Sequence, residues 1–253
     1  MKALTETLTE TPIESLPLRT AEVAFAACQG AVVLAPHPDD ETLGCGGAIA
    51  LLRQRSIPVH VIVFSDGSAS HPQSISHSAP VLSSIREYET YAALNQLGVS
   101  KASVTFLRWP DTSVPHPADP GFPLAVSQCA QSIRKYSPSL LFVPWQKDQH
   151  CDHRATWEIA QRCLQQLPPQ QSPPSQLVYA IWGSAAAGLP ALPPTETGWR
   201  LDIHTVQALK RRAAMAHQSQ TTDLIKDDPT GFRLTPTMLN NLIQPWETYL
   251  EAL

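Results

Sequence analysis

The sequence predicts an α/β fold: a Rossmann-like, mostly parallel β-sheet flanked by helices on both faces. Three observations carry this expectation. Short apolar runs rich in β-branched residues, AVVLAP (31–36), VHVIVFSDG (59–67) and LLFVP (140–144), match strands covered on both sides. Helical stretches separate them, and strand–helix alternation implies right-handed parallel crossovers. The chain has 253 residues, 43% hydrophobic and 16% charged, enough for one sizeable core and too apolar for a disordered polymer.

Taken in order, residues 1–20 are polar and weakly patterned, which reads as a peripheral arm. Residues 21–29 read as a short helix and 31–36 as the first strand, ended by proline. A helix over 42–55 closes at Ile57-Pro58. The second strand, 59–67, stops at Asp66-Gly67. The Ser-, His- and Pro-rich stretch 68–80 is a loop, and 81–97 is an amphipathic helix ending at Gly98, a residue suited to a helix C-terminus. Strand 103–109, loop 110–123, helix 124–136 and strand 140–144 follow. WQKDQHCDH then forms a loop leading into a helix that runs to about residue 167. Beyond PPQQSPPS, strands are expected at 176–182 and 199–203 and a helix at 206–217. The pattern fades after Thr221, where Trp246 and Tyr249 are expected to hold the tail down. The whole chain, 1–253, reads as a single domain with 221–253 a C-terminal extension packed on it.

The formal net charge is −4 and no basic run stands out, which argues against nucleic-acid binding through phosphate contacts. No apolar stretch approaches the ~18 residues needed to span a membrane. The N-terminus lacks the apolar segment of a secretory signal. The five cysteines are an odd count with no CxxC pair, so reduced thiols in a cytoplasmic protein are expected. The 24 prolines imply long irregular connections. Oligomeric state is left open.

In open parallel sheets, ligands bind beyond the carboxyl ends of strands. HPDDET follows the first strand, bringing His37, Asp39, Asp40 and Glu41. KDQHCDH follows the fourth, bringing Asp148, His150, Asp152 and His153. Adjacent parallel strands would bring the two clusters together. Imidazole and carboxylate donors suit Zn2+, and three protein ligands leave a position for water. His37 and Asp40 are three residues apart across a strand-to-helix turn, so both can face one point, and His153 would complete a His/Asp/His set. Asp39, beside a ligand, is then available as a general base. Acidic and His residues in one loop are usually only solvated; two such clusters at two strand ends weaken that structural alternative.

At these residues the sequence resembles the GlcNAc-phosphatidylinositol de-N-acetylase-like (PIG-L/LmbE) family. APHPDDETLGCGG (35–47) is similar to its first signature and PWQKDQHCDHRA (144–155) to its second. Weaker similarities are SDG (65–67), REYETYAALNQLGV (86–99), FLRWPDTSV (106–114) and KRRAAMAHQSQ (210–220). Pro36 stands where Ala is usual and Cys151 where Pro is usual. The resemblance implies a zinc-dependent amidohydrolase that removes acetyl groups from N-acetylglucosamine-type sugar conjugates, with a small-molecule glycoconjugate as substrate. It makes His37, Asp40 and His153 the metal ligands, Asp39 the general base and His150 the oxyanion stabiliser. Asp152 would orient His150 and favour its protonated form.

Arg86 and Asp111 are expected to contact sugar hydroxyls, with an ion pair to Glu89 or another carboxylate as the structural alternative for Arg86. Trp145 and Trp182 are candidate stacking residues. Asp66 could cap the next turn, and His217 is expected to make a structural hydrogen bond. Two His and one carboxylate also form the facial triad of non-haem iron enzymes. A non-catalytic sugar-binding protein is a further alternative, one that would be expected to have lost the base or a ligand.

Overall fold

The computed structural model describes residues 10–168, 172–183, 187–189, 191–193 and 195–251. Its central sheet has eight strands in the order β2-β9-β10-β7-β6-β3-β4-β5. These are β2 (Leu18–Arg19), β3 (Ala31–Ala35), β4 (Val59–Ser65), β5 (Val104–Trp109), β6 (Leu140–Pro144), β7 (Ser175–Tyr179), β9 (Gly198–Asp202) and β10 (Trp246–Glu251). Strands β5, β4, β3, β6 and β7 are parallel, and β10 is antiparallel to both of its neighbours. A separate two-stranded ribbon pairs β1 (Thr11–Pro12) with β8 (Ala191–Leu192).

After β2 at the sheet edge, the chain runs through β3, crosses to β4 and β5 on one side, then returns to β6 on the other side of β3. The strand order therefore reverses between β3 and β6, with Val33 opposite Phe142. That reversal opens a crevice at the carboxyl ends of these two strands. Both polar clusters leave the sheet there.

Alternation along β3 distributes the core. Val33 and Ala35 pack under α2 (Asp40–Gln54), α3 (Ala79–Gln96) and α6 (Gln207–Ala214), while Val32 and Leu34 face α4 (Phe122–Tyr136) and α5 (Cys151–Gln165). The same two-fold alternation in β4 separates Val61 and Val63 from Ile62 and Phe64. Burial on both faces explains why these strands read as continuous apolar runs.

Helix α2 lies unusually close to the sheet. A methyl group at Gly44 would collide with the Tyr179 ring, and one at Gly47 with Ile203. Its middle is also held from the side. Glu247 on β10 accepts the Gly47 and Ala48 amides at 2.6 and 2.8 Å, the Tyr249 hydroxyl at 2.8 Å and Lys210 Nζ at 2.7 Å. All four lone-pair sites of a buried carboxylate are thus used.

Several elements differ from expectation. The short helix at 21–29 contracts to α1 (Ala21–Ala24), and the strand at 176–182 ends at Tyr179, because the Trp182 amide is taken by Asp148 (3.0 Å). The helix at 206–217 divides after Ala214, with α7 (Gln218–Thr221) following. The arm is not wholly peripheral: β2 joins the sheet edge beside β9, although residues 1–9 of the arm lie outside the described residues. The C-terminal stretch contributes α8 (Pro236–Leu242) and β10, a strand inside the sheet rather than a segment laid upon it. Among the described residues, no helix is long and apolar enough to cross a membrane.

Removing one partner of a buried ion pair leaves the other charge uncompensated and costs about 3–5 kcal/mol. Lys210→Met is therefore expected to lower unfolding stability by roughly that amount in urea titration. The Lys210→Met/Glu247→Gln double variant should lose less than the sum of the two single changes.

Candidate metal centre

The first cluster is built by the turn from β3 into α2. The Asp40 carboxylate reaches back to the His37 amide (2.9 Å), fixing the turn, while Asp40 and Glu41 sit in the first helical turn where anions are favoured. The second cluster is built by the turn from β6 into α5, where Asp148 accepts the His150 amide at 2.9 Å.

Three side-chain atoms converge between these turns. His37 Nδ1 is 3.1 Å from Asp40 Oδ2 and 3.3 Å from His153 Nε2, and His153 Nε2 is 3.1 Å from Asp40 Oδ2. Ligands at the 2.0–2.2 Å typical of zinc occupy tetrahedral corners roughly 3.3–3.6 Å apart. The triangle is close to one face of such a tetrahedron, so the donor set fits a divalent ion with its fourth corner open. All three residues are buried.

The electrostatics agree with this geometry. Burial resists charge on His37 and His153, yet the facing carboxylates overcome it. His37 is pushed well above the usual imidazole range by Asp111, Asp152 and Asp40, and His153 to about 9 by Asp40 and Asp148. Burial likewise opposes ionisation of Asp40, but the two imidazoles hold its pKa far below the ordinary carboxylate value. The cluster calls for positive charge at its centre, which a divalent ion would supply in place of two ring protons.

Each imidazole is backed by a carboxylate. His37 Nε2 lies 3.1 Å from Asp152 Oδ2 and 3.2 Å from Asp111 Oδ1. His153 Nδ1 lies 3.2 Å from Asp148 Oδ2, angled away from a linear hydrogen bond. Such outer partners fix ring orientation and raise ligand basicity. Two expectations change here. Asp152 does not hold the His150 ring. Its carboxylate serves His37 and accepts the Thr112 and Val114 amides (2.8 and 3.1 Å), while its own amide donates to His150 Nδ1 (3.2 Å). Nor is His150 driven towards its charged form: burial, with His37 and His153 nearby, lowers its pKa to about 4. With Nδ1 acting as acceptor, the proton of the neutral ring resides on Nε2.

Asp111, expected at a sugar hydroxyl, lines the cavity and also serves the metal side. Its Oδ1 supports His37 and its Oδ2 accepts the Ala69 amide at 3.0 Å. Arg86 pairs with Asp39 rather than Glu89 (Nη2 to Oδ2, 3.1 Å) and donates to the Gly67 and Pro38 carbonyls, both at 3.0 Å. Charge-assisted bonds to fixed acceptors hold Nη1 and Nη2, while Nε has no hydrogen-bond partner among the described residues and Arg86 lines the cavity. A side chain at Gly67 would strike this guanidinium, and φ there is +66°, which accounts for the glycine in SDG.

Asp39 stands outside the triangle. Burial raises its pKa to about 6, Arg86 opposes the rise and Asp40 adds to it. Asp66 is a structural cap, accepting the Ser68 and Asp111 amides. His217 is buried behind the site, 3.6 Å from Glu41 Oε1. Trp145 belongs to the core on the α4 and α5 side, whereas Trp182 lines the cavity above the imidazoles.

The sequence reading did not assign roles to Asp148, Gln220 or Phe232, which all reach the centre or its cavity. Asp148 had one signal, its membership of the KDQHCDH cluster. Phe232 had none, since it lies in the weakly patterned stretch after Thr221.

A family model for GlcNAc-PI de-N-acetylase, PIG-L, matches residues 32–164, more than half of the chain. The chain belongs to this family. It is 26% identical over 200 residues to the Bacillus subtilis protein named "Probable N-acetyl-alpha-D-glucosaminyl L-malate deacetylase 2", covering 78% of this chain and 85% of that one. Among solved structures, N,N'-diacetylchitobiose deacetylase of Pyrococcus horikoshii superposes with a TM-score of 0.63 at 24% identity, covering 79% of this chain and 73% of its own. The 4-carboxy-2-hydroxymuconate hydratase GalB of Pseudomonas putida does so with a TM-score of 0.57 at 22% identity, covering 74% and 78%. These likenesses show the fold; a deacetylase and a hydratase share it, so the reaction must be argued from the site.

Losing an outer-sphere partner of a metal-binding histidine typically costs 10–100-fold in metal affinity. Asp148→Asn and Asp152→Asn are each expected to weaken zinc binding by about that factor, read by competition with a chromogenic chelator.

Proposed function

We propose that the chain is a zinc-dependent N-deacetylase that hydrolyses the acetamide of an N-acetylglucosamine-type sugar conjugate, releasing acetate and a free amine. The observation that carries this reading is the triangle of His37 Nδ1, Asp40 Oδ2 and His153 Nε2, with a further carboxylate, Asp39, lining the same cavity and paired to Arg86. An oxygen-activating iron site needs no such adjacent base, and a protein that only binds sugar has no use for one. The family and its deacetylating relatives point the same way.

His37, Asp40 and His153 would hold a zinc ion, which would supply Lewis-acid polarisation of the amide carbonyl and a water acidic enough to react near neutral pH. Asp39 takes the proton of the attacking water, ionised above its pKa of about 6 and held in place by Arg86. Neutral His150 offers Nε2–H to the oxygen that gains negative charge in the tetrahedral intermediate. Asp39 then returns its proton to the departing nitrogen. Asp111 and Asp152 keep the His37 ring in the tautomer that leaves Nδ1 free as a donor to metal, and Asp148 backs His153. We place this chemistry in the cytoplasm, in keeping with the free cysteines, within one domain that includes the C-terminal strand.

Acetate release from a panel of N-acetylglucosamine conjugates is expected to be abolished by chelation and restored by zinc; turnover in fully stripped protein would end the reading. Metal analysis of protein purified without added metal separates zinc from iron. Asp39→Asn should keep its metal while losing about 10²–10⁴ in kcat. Wild-type turnover in that variant would remove the assignment of the base. Arg86→Met removes the cation that lowers the Asp39 pKa, so the acid limb of kcat/KM should move to higher pH than in wild type. An unmoved limb would mean that Asp39 is not the titrating base.

A further inference from the structure

The first polar cluster holds one carboxylate that the reaction leaves without a part, Glu41. It is fully buried, and so are Thr42 and His217 beside it. Its two oxygens have separate duties. Oε2 accepts the Asp39 amide at 3.1 Å, and Oε1 accepts the Thr42 hydroxyl at 2.8 Å. The Asp39 amide also reaches the His37 carbonyl at 2.9 Å, so the main chain of the base is held between a metal ligand and Glu41. A first-turn glutamate that reaches back to the N-cap amide resembles a capping box. Here the capped residue is the base itself.

The hydrogens give these contacts a direction. Thr42 Oγ1 donates its one hydrogen to Glu41, so towards His217 it can only accept. His217 Nε2 lies 3.5 Å from Thr42 Oγ1 and 3.6 Å from Glu41 Oε1. It faces acceptors alone and must carry its hydrogen; at these separations the ring leans on both oxygens instead of bonding one tightly. His217 Nδ1 has no hydrogen-bond partner among the described residues, so Thr42 and Glu41 are the polar anchorage of the ring. Donors thus converge on Glu41 from both sides, from His217 through Thr42 and from Asp39.

The seat of the ring is fixed from α3. Glu89 accepts the Ser219 amide and hydroxyl at 2.7 and 2.6 Å, two residues beyond His217. One turn earlier on the same helix, Arg86 grips the Asp39 carboxylate. Asp39 is therefore held twice, its carboxylate by Arg86 and its amide by Glu41, and both holds lead back to α3.

We propose that Glu41 and His217 are positioning residues for the base: Glu41 fixes the main chain of Asp39, and His217 fixes Glu41 through Thr42. This role rests on the deacetylase reading, in which Asp39 takes the proton of the attacking water. Neither residue lines the cavity above the imidazoles, so both act through Asp39.

The test combines acetate release by zinc-loaded full-length protein with crystal structures of the zinc-free variants. Glu41→Met cannot accept from the Asp39 amide. It is expected to lose about 10²-fold in kcat, what a misplacement of roughly 1 Å costs, with KM and zinc affinity close to wild type. Glu41→Gln keeps an acceptor for that amide and should recover most of the loss. His217→Leu should lower kcat in the same direction, and His217→Gln, which restores a donor, should recover it. Because both residues act along one path, His217→Leu added to Glu41→Met should cost little more than Glu41→Met alone. In the crystals, the Asp39 carboxylate should shift from its place beside Arg86 in Glu41→Met and stay there in Glu41→Gln. A purely structural role predicts the opposite split, lower stability in urea with kcat unchanged per folded, zinc-loaded molecule. That split, an equal loss in Glu41→Gln and Glu41→Met, or an unmoved Asp39 in the Glu41→Met crystal overturns the positioning role while the deacetylase reading stands. If Glu41→Met does not fold, His217→Leu against His217→Gln, with Thr42→Val removing only the linking hydroxyl, decides by the same readouts. If wild type releases acetate from none of the N-acetylglucosamine conjugates, the deacetylase reading falls and takes the positioning role with it.

Discussion

The arrangement depends on gathering negative charge in a place from which water is excluded. Asp39, Asp40, Asp111, Asp148 and Asp152 crowd around two imidazoles within one crevice. Carboxylates so placed repel one another and lose hydration, and they stay ionised only where positive charge lies between them. The protein answers with Arg86 on one side and two histidine rings at the centre, whose facing nitrogens and the Asp40 oxygen leave one gap of ionic size. Backbone amides at Ala69, Thr112 and Val114 hold the outer carboxylates, so the tension is confined to the middle.

Much of this could be read in the sequence. The strands β3, β4 and β6 are buried on both faces, so their apolar runs stand out, and the rule that parallel sheets act at their carboxyl ends led to both clusters. The ligand-type residues were legible because His and Asp in that spacing have few structural reasons to follow a strand. Their outer partners were not. Asp152 was assigned to the neighbouring His150, but a side chain two residues along a helix start points elsewhere, and it meets His37 from the other turn. Arg86, in its family-like helix, and Asp111, after the third strand, were expected at sugar hydroxyls; both line the cavity, and the bonds each makes to other protein groups were not legible.

The C-terminal strand was illegible for a different reason. WETYLE alternates, with Glu247 and Tyr249 facing inward, but a glutamate at an inward position disguises the apolar pattern. Its partners, Lys210 and the Gly47 and Ala48 amides, are distant in sequence and only the folded chain unites them. The two-residue strands β1, β2 and β8 carry no periodicity at all. Short edges take their conformation from the neighbours they meet, which a local pattern cannot express.

The clasp on α2 has an implication for biosynthesis. The helix that presents Asp39 and Asp40 emerges from the ribosome well before the carboxylate that grips its mid-section, which lies 200 residues beyond Gly47 along the chain. Until β10 has emerged, a nascent polypeptide possesses the ligand-bearing turn without the brace that seats it. Seating of the helix is thereby deferred until β10 is inserted, and a chain cut short of it would part β9 from β7 as well as leave the ligand-bearing helix unsecured.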